Sequence, residues 1–229
     1  MTMAEAFAPS SLPRGRHRLS REDVASSQRG RLCIAAFDLA AEKGYHAVTV
    51  IDLVKAAGVS KRTFYELFDS IDECFGAALE VCVDVAVDRI TDAVSVASTP
   101  DGPPDWRSLL DISIRTYLET LAAEPNAAKA MHVEIMGAGP VSAGTRFTMV
   151  RLFGERMRAL HSLAVSQDPT IPQPPPEAFD FFVDGLDGRM RHHLRTQPAA
   201  TLPELTPLLA QCAMALFGKP EYTNSPPAT

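Results

Sequence analysis

The side chains best suited to binding a nucleic acid are concentrated in one short segment near the start of the chain. Directly after Ser60, this segment carries Lys61, Arg62, Thr63, Tyr65 and Glu66. Lysine and arginine bind phosphate, and arginine also forms paired hydrogen bonds with the edge of guanine. At helical spacing these side chains point away from Phe64 and Phe68, which are expected to be buried. The spacing therefore predicts a helix over residues 61–68 with a polar, basic face turned toward a polyanion.

A second short helix is predicted directly before this segment. Thr49 and Asp52 form a capping pair that opens a helix from Val50 to Ala57. Gly58 ends it, because glycine adopts positive φ at little cost. Two short helices joined in this way have the layout of a helix-turn-helix, in which the second helix enters the major groove of DNA.

The residues before the helix-turn-helix predict a longer helix and a basic N-terminal region. Ser20 with Asp23 opens this helix, which runs to Lys43 and stops at Gly44. Residues 1–65 hold ten Lys and Arg against six Asp and Glu, whereas the rest of the chain holds twelve against twenty-two. An acidic surface repels DNA, so binding to DNA is predicted for the N-terminal quarter alone.

Three sequence motifs in this region are specific enough to suggest a family. They are A-E-K-G-Y at residues 41–45, T-V-I-D-L-V-K-A-A-G-V-S at 49–60 and K-R-T-F-Y-E-L-F at 61–68. They resemble the DNA-binding head of TetR-family transcriptional regulators. The resemblance implies an all-α fold, with a three-helix head at residues 20–69 and a larger effector-binding and dimerisation domain at residues 70–219. It also implies a sequence-specific transcriptional regulator, expected to be a repressor that a small hydrophobic effector releases from a pseudo-palindromic operator.

The family motif implies roles for the exposed residues of the predicted recognition helix. Lys61 is expected at the entry of the helix, Arg62 and Thr63 are expected to face base edges, and Tyr65 is expected to contact the DNA backbone or a thymine methyl group. Chance exposure of Arg62 and Tyr65 is the alternative, and the motif context favours contact with DNA.

Thr49 and Ser60 have two interpretations. The resemblance implies that Thr49 donates a hydrogen bond to a phosphate and that Ser60 lies at the entry of the recognition helix. Both residues are also explained by helix capping. Capping is taken as the primary role, with contact to DNA in addition.

Residues 1–19 are predicted to form a flexible basic arm, and residues 220–229 a flexible tail. The arm carries Arg14, Arg16 and Arg18. Many family members have a lysine that contacts phosphate where Ile71 stands here. Two interpretations of the arm stay open: it contacts DNA in the minor groove or along the backbone, or it is a solvated tail.

The residues after the head predict a set of longer helices. Residues 177–196 and 202–217 are the two helices that the resemblance assigns to a homodimer interface. Methionine and aromatic side chains at helical spacing suit either an ordinary core or an apolar effector cavity, in which His132 or His161 would orient the ligand. The cavity candidates are Trp106, Tyr117, His132, Met136, Phe147, Phe153, Met157, His161 and Phe182.

Signals for catalysis and for metal binding are weak. The glycine-rich stretch at residues 137–144 lacks the lysine of a phosphate-binding loop and has Pro140 where a nucleophile elbow needs glycine. His132 and Glu134, two residues apart, point to different helix faces and predict no metal site. We therefore expect a protein that is not an enzyme and needs no cofactor.

The absence of an 18-residue apolar run and of a signal-peptide core in the first twenty residues predicts a cytoplasmic protein with no membrane partner. The alternative function is an all-α ligand-binding or scaffold protein that has lost operator binding.

Overall fold

The computed structural model describes residues 20–98 and 104–219. In these two ranges the chain is helical and contains no strand, which confirms the predicted all-α class. The α-helices in them are α1 (Arg21–Lys43), α2 (Val50–Ala57), α3 (Lys61–Leu67), α4 (Ile71–Ala97), α5 (Trp106–Ala123), α6 (Pro125–His132), α7 (Pro140–Gln167), α8 (Ala178–Thr196) and α9 (Thr206–Phe217). Short 3-10 helices occupy Tyr45–Ala47, Glu134–Gly137 and Ala199–Leu205.

Side-chain caps open each of the first three helices, as the sequence predicts. Ser20 and Asp23 form a reciprocal capping box at α1, and Thr49 and Asp52 form another at α2. Ser60 caps α3 by accepting a hydrogen bond from the backbone three residues later. Because each cap contributes about 1 kcal/mol from local contacts alone, these helix starts were predictable from sequence.

Gly58 makes the turn between α2 and α3. Its φ of 62° and ψ of 40° lie in the left-handed region, which favours glycine. The N–H of Val59 donates to the carbonyl of Val54 at 3.0 Å, which closes the end of α2. Ala57 beside the turn is buried, and its small side chain allows the two helices to approach closely.

Aromatic side chains form the core of the N-terminal head. Phe64 of α3 is fully buried, and Phe68, the residue after α3, is 2% exposed. In the same head, the rings of Phe37 and Phe75 pack with centroids 5.0 Å apart. Since Phe75 lies in α4, the first turns of α4 pack as part of the head.

By packing, the chain divides into two compact units. Among the described residues, the first comprises residues 20–85 with Asn126–Arg146, and the second comprises residues 86–98, 104–125 and 147–219. The first unit is therefore larger than the predicted head of residues 20–69. Hydrogen bonds explain why the later segment belongs to it: the Asn126 amide donates to Asp38 at 2.9 Å, and the Lys129 ammonium donates to the Ala41 carbonyl.

Asp72, near the start of α4, caps the N-terminus of α7. Its carboxylate accepts hydrogen bonds from the N–H of Val141 at 2.8 Å and of Ser142 at 3.1 Å, and from the Ser142 hydroxyl at 2.5 Å. A carboxylate is favoured at this position because the first N–H groups of a helix lack partners and carry a partial positive charge. The contact ties α7 to the residues that directly follow the recognition helix.

Alanine in place of Gly139 is expected to destabilise the first unit. A Cβ atom at this position would lie 2.5 Å from Oδ2 of Asp72, so the cap of α7 would have to shift. We expect the free energy of unfolding to fall by about 1 to 3 kcal/mol in urea titrations. Gly144→Ala is the matched control, since a Cβ there meets nothing within 4 Å. Equal losses in the two variants would contradict the role of Gly139.

Two predicted helix boundaries are corrected. The sequence from residue 126 to residue 136 predicts one short helix, but α6 ends at His132 and a 3-10 helix follows at Glu134–Gly137. The helix predicted over residues 202–217 starts only at Thr206, after a 3-10 helix that contains Pro203. Proline has no N–H to donate, so the chain does not continue as a regular α-helix through Pro203.

One stretch of the described residues, Ala199–Phe217, is long and apolar enough to cross a membrane, and 33% of it is buried in the structure. It is not one continuous α-helix, because it combines a 3-10 helix with α9. Core helices pass the same test of length and composition, so this stretch is weak evidence for a membrane span.

Candidate nucleic-acid interface

The recognition helix α3 has one exposed face and one buried face. Lys61, Arg62, Tyr65 and Glu66 are exposed, whereas Phe64 between them is fully buried. The Arg62 side chain is 89% exposed and Tyr65 is 52% exposed. The structure thus brings together on one surface the side chains that the sequence predicts for contact with DNA.

These four exposed side chains form two pairs, each spanning one helical turn. Nε of Arg62 donates a hydrogen bond to Oε1 of Glu66 at 2.8 Å. This hydrogen bond and the charge of Glu66 raise the pKa of Arg62. The ammonium of Lys61 lies 5.9 Å from the centroid of the Tyr65 ring, within range of a cation–π interaction. Both cations therefore have a partner on α3 itself in the absence of DNA.

Thr49 uses its hydroxyl group within the capping box of α2. The hydroxyl donates to Oδ2 of Asp52 at 2.6 Å and accepts from the Asp52 N–H at 3.2 Å. Donation to a phosphate requires the hydroxyl to leave Asp52. The capping role is observed, and contact with phosphate stays a prediction.

Ser60 and Thr63 are engaged with each other at the start of α3. Ser60 Oγ accepts from the N–H of Thr63 at 3.0 Å, and the two hydroxyl oxygens lie 2.9 Å apart. Thr63 is half-buried. Contact of these residues with bases or phosphates stays a prediction.

Asp52 also connects α2 to the end of α1. Its carboxylate accepts a hydrogen bond from Nζ of Lys43 at 2.5 Å. This hydrogen bond, with those from the Thr49 side chain and backbone, lowers the pKa of Asp52 from 3.8 to about 2. The ionised form of Asp52 is thus the form that the folded head stabilises.

Asp52→Asn is expected to lower the melting temperature at neutral pH, because it removes the ion pair with Lys43. The pKa of Asp52 is lower in the folded state than in the unfolded state. Its stabilising effect is therefore present above about pH 4 and is lost as the pH falls toward 2. The difference in melting temperature between the variant and the natural protein should shrink over that range, measured by circular dichroism. A difference that stays constant from about pH 5 to about pH 2 would contradict the lowered pKa.

Arg29 of α1 holds the C-terminal end of the recognition helix, a role that sequence reasoning missed. Its Nη1 donates to the carbonyl of Leu67 at 3.2 Å, and its guanidinium lies 4.3 Å from the centroid of the Phe68 ring. A cation is favoured at the C-terminus of a helix, where carbonyl groups lack partners. Because 38 residues separate Arg29 from Leu67, no local pattern signals the contact.

The remaining predicted DNA contacts belong to the basic arm. Arg14, Arg16 and Arg18 lie outside the described residues. Both interpretations of the arm stay open.

The predicted effector-site residues differ in burial. Buried members are Trp106, Tyr117, His132, His161 and Phe182. Phe153 and Met157 are half-buried. Met136 and Phe147 lie at the surface of the chain, 58% and 69% exposed. The last two thus differ from the other candidates in being largely exposed to solvent.

Three of these residues make aromatic contacts within the second unit. The rings of Tyr117 and Phe153 lie 5.3 Å apart. His161 packs edge-on against Phe179, which stacks on Phe217 at 4.9 Å. Nε2 of His161 is also 3.1 Å from the Pro172 carbonyl, which suits the core interpretation of this histidine. The Tyr117–Phe153 pair is the stronger candidate for an apolar site.

In residues 20–98 and 104–219, no group of three or more His, Cys, Asp or Glu side chains is arranged to hold a metal ion.

Comparison with known proteins places this head in a family. Residues 34–78 match the family described as bacterial regulatory proteins, tetR family. Over this segment the chain is similar to the tetR family. The matched segment runs from the middle of α1 to the first turns of α4, so it contains the whole helix-turn-helix.

Individual tetR-family relatives resemble the chain to different extents. The HTH-type transcriptional activator FasR of Mycolicibacterium smegmatis is 34% identical over 82 residues, which are 36% of this chain and 37% of that protein. The chain thus matches about a third of the length of this relative.

Solved structures of tetR-like regulators share the fold over most of the chain. The fatty acid degradation regulator FadR of Bacillus halodurans has a TM-score of 0.69 at 18% identity, covering 82% of this chain and 94% of its own. FadR of Bacillus subtilis in complex with stearoyl-CoA has a TM-score of 0.64 at 15% identity, covering 80% and 96%. At these identities the likeness concerns the fold.

Proposed function

We propose that this protein is a tetR-family transcriptional regulator that reads operator DNA with α3. The observation that carries the proposal is the exposed basic face of α3, with Lys61, Arg62 and Tyr65, within the segment that matches the family. The buried residue Phe64 holds α3 in the head, whereas packing of the head does not require the exposed cations. The alternative of a scaffold protein without operator binding is therefore not favoured.

Selection of binding sequences from a random double-stranded DNA library tests this proposal. The full-length protein should enrich one pseudo-palindromic motif, and binding should weaken steeply between about 50 and about 200 mM salt. The control is the variant Lys61→Ala, Arg62→Ala, Tyr65→Ala, whose exposed substitutions leave the core intact. Failure of the natural protein to enrich any motif would support the scaffold alternative. Because the proposed partner is DNA, we propose that the protein acts in the cytoplasm.

Two copies of the chain are proposed to assemble, because one recognition helix reads only a few base pairs. Support comes first from α8. Phe181 on this helix is 69% exposed, and added Cβ atoms on Gly185 and Gly188 would meet nothing within 4 Å. One face of α8 contains Phe181, Gly185 and Gly188, because these residues recur at helical spacing. This face is apolar and nearly flat, since glycine has no side chain, and we call it the apolar strip.

The surface of α9 is also apolar. The helix contains no charged residue, and its exposed positions include Leu208 at 45% and Leu216 at 40%. Exposed apolar helix faces of this kind mark interaction sites in proteins. We therefore place the homodimer interface on α8 and α9.

Phe181→Glu is expected to convert the dimer into a monomer at micromolar concentration. Each dimer would bury two copies of Phe181, so a charge at that position should weaken association by at least about 100-fold. Light scattering after size-exclusion chromatography measures the mass. Phe147→Glu is the matched control, since Phe147 is also 69% exposed but lies on α7. Dissociation by both variants, or by neither, would reject the assignment to α8 and α9.

The effector is proposed to be an apolar small molecule, with a fatty acyl thioester as the leading candidate. The contact of Tyr117 with Phe153 and the half-buried Met157 supply adaptable apolar surface in the second unit. The complex of Bacillus subtilis FadR with stearoyl-CoA shows that this fold accepts such a ligand in a relative.

Helix α4 is proposed to couple effector and operator. It contains 27 residues and is therefore about 40 Å long. Its residues up to Val85 pack in the first unit, and those from Ala86 pack in the second. A change of its tilt would alter the spacing of the two recognition helices in the dimer. An effector that fits only one spacing would release the operator, as expected for a repressor.

A further inference from the structure

We infer that Glu66 determines the base preference of α3 by positioning Arg62. The inference rests on the proposed DNA-binding function and assigns to Glu66 a role that the sequence motifs do not imply. Glu66 is the one acidic residue in α3, and it lies on the same exposed face as Lys61 and Arg62.

The geometry of the pair leaves the recognition edge of Arg62 available. Glu66 accepts its hydrogen bond from Nε of Arg62, and no other hydrogen bond of this guanidinium is found among the described residues. The two terminal nitrogens of Arg62 are thus left to donate in parallel. The edge of guanine offers two acceptors, O6 and N7, at the spacing that such a pair of donors matches.

The position of Arg62 on the helix suits this role. It is the second residue of α3, and the N-terminal residues of a recognition helix face the base edges. A freely rotating arginine loses much conformational freedom when it binds a base, and it also binds any nearby phosphate. Glu66 removes part of that freedom in advance, because it holds Nε one turn further along the helix.

The negative charge of Glu66 also acts against contact with phosphate. An unpaired carboxylate near DNA is repelled by the backbone, and a carboxylate bound to Arg62 lowers the net positive charge of the face. Removal of this charge should therefore strengthen binding to every sequence while it weakens discrimination between sequences. Loss of folding would instead weaken both the affinity for all sequences and the discrimination between them. The opposite directions of the two expected changes therefore distinguish a positioning role from loss of folding.

The test compares full-length Glu66→Gln and Glu66→Ala with the natural protein and with Arg62→Ala. Motifs are selected from a random DNA library, and affinities are then measured on the selected site, on its single-base variants and on unrelated DNA. Glu155→Gln is the matched control, because Glu155 pairs with Arg151 across one exposed turn of α7. Exposed pairs of this kind contribute little stability, so all four variants should keep the melting temperature of the natural protein. This measurement verifies that the variants fold.

We expect Arg62→Ala to identify the guanine that Arg62 reads. At that same base pair, the ratio of the affinity for the selected site to the affinity for its single-base variants should fall at least about threefold in both Glu66 variants. Their affinity for unrelated DNA should rise about two- to fivefold. The control Glu155→Gln should change neither quantity.

Three results would overturn the inference. Unchanged discrimination in both Glu66 variants would make the pair an ordinary surface ion pair. Loss of discrimination at a different base pair from that of Arg62→Ala would mean that Glu66 reads a base itself, as carboxylates do with cytosine. If the natural protein selects no motif, the proposed function fails and this inference with it, whereas the first two results leave the function intact.

Discussion

Alanine in place of Arg62 is expected to weaken binding to the selected operator by about 1 to 3 kcal/mol, or about 5- to 150-fold. The Arg62 side chain is 89% exposed, and its two terminal nitrogens are available to donate hydrogen bonds to the edge of a guanine. Its removal should also flatten the base preference at one position in each half-site. Fluorescence anisotropy on the operator and on its single-base variants measures both effects.

Two controls separate reading of bases from holding of phosphates. Arg16→Ala, in the predicted basic arm, should weaken binding to all sequences alike and lower the salt slope by about one per lost phosphate contact. Arg151→Ala removes an exposed arginine of α7 that is paired with Glu155, and it should have no effect. If Arg62→Ala weakened binding to specific and random DNA equally, Arg62 would be a phosphate ligand rather than a reader of bases.

Stearoyl-CoA, used as the probe for the effector, is expected to weaken operator binding by about 5- to 150-fold. This range corresponds to a coupling free energy of about 1 to 3 kcal/mol, which is typical of allosteric proteins. The physical reason is that a ligand that fits one tilt of α4 better than another shifts the population toward it. Thermodynamic linkage then requires that operator DNA weaken the affinity for stearoyl-CoA by the same factor.

Calorimetric titrations of stearoyl-CoA with and without operator measure this reciprocity, and free CoA is the control for the headgroup. The single tryptophan, Trp106, is buried in α5 and gives an independent fluorescence signal. Equal affinities in the two titrations would leave a DNA-binding protein but would remove the case for release by this effector. Stronger operator binding with stearoyl-CoA would instead indicate an activator.

The sequence alone determined the head of this protein in detail. Ser20, Thr49 and Ser60 open the first three helices where the sequence predicts, because a helix cap depends on residues three positions apart. Gly58 in the left-handed region closes α2 for an equally local reason. Helical periodicity then separates buried Phe64 from exposed Arg62, so the face that we propose to meet DNA follows from residue types and spacing.

Two helices after the head were predicted less accurately at their ends. Helix α6 ends at His132 and Pro203 interrupts the last predicted helix, although the apolar periodicity continues through both regions. Periodicity reports which side of a helix is buried, but it does not report where backbone hydrogen bonding changes from α to 3-10.

Tertiary structure alone decided how the head is supported and which aromatic residues form core. Arg29 reaches the end of α3, and Asp72 caps α7, across separations of 38 and about 70 residues. No local pattern encodes such contacts, because they depend on how the helices pack. For the same reason the sequence could not distinguish a cavity from a core: Tyr117 and His161 have similar patterns, yet His161 packs within a cluster of phenylalanines. Spacing along one helix sets the direction of a side chain, whereas its neighbours are set by the other helices that the chain brings to it.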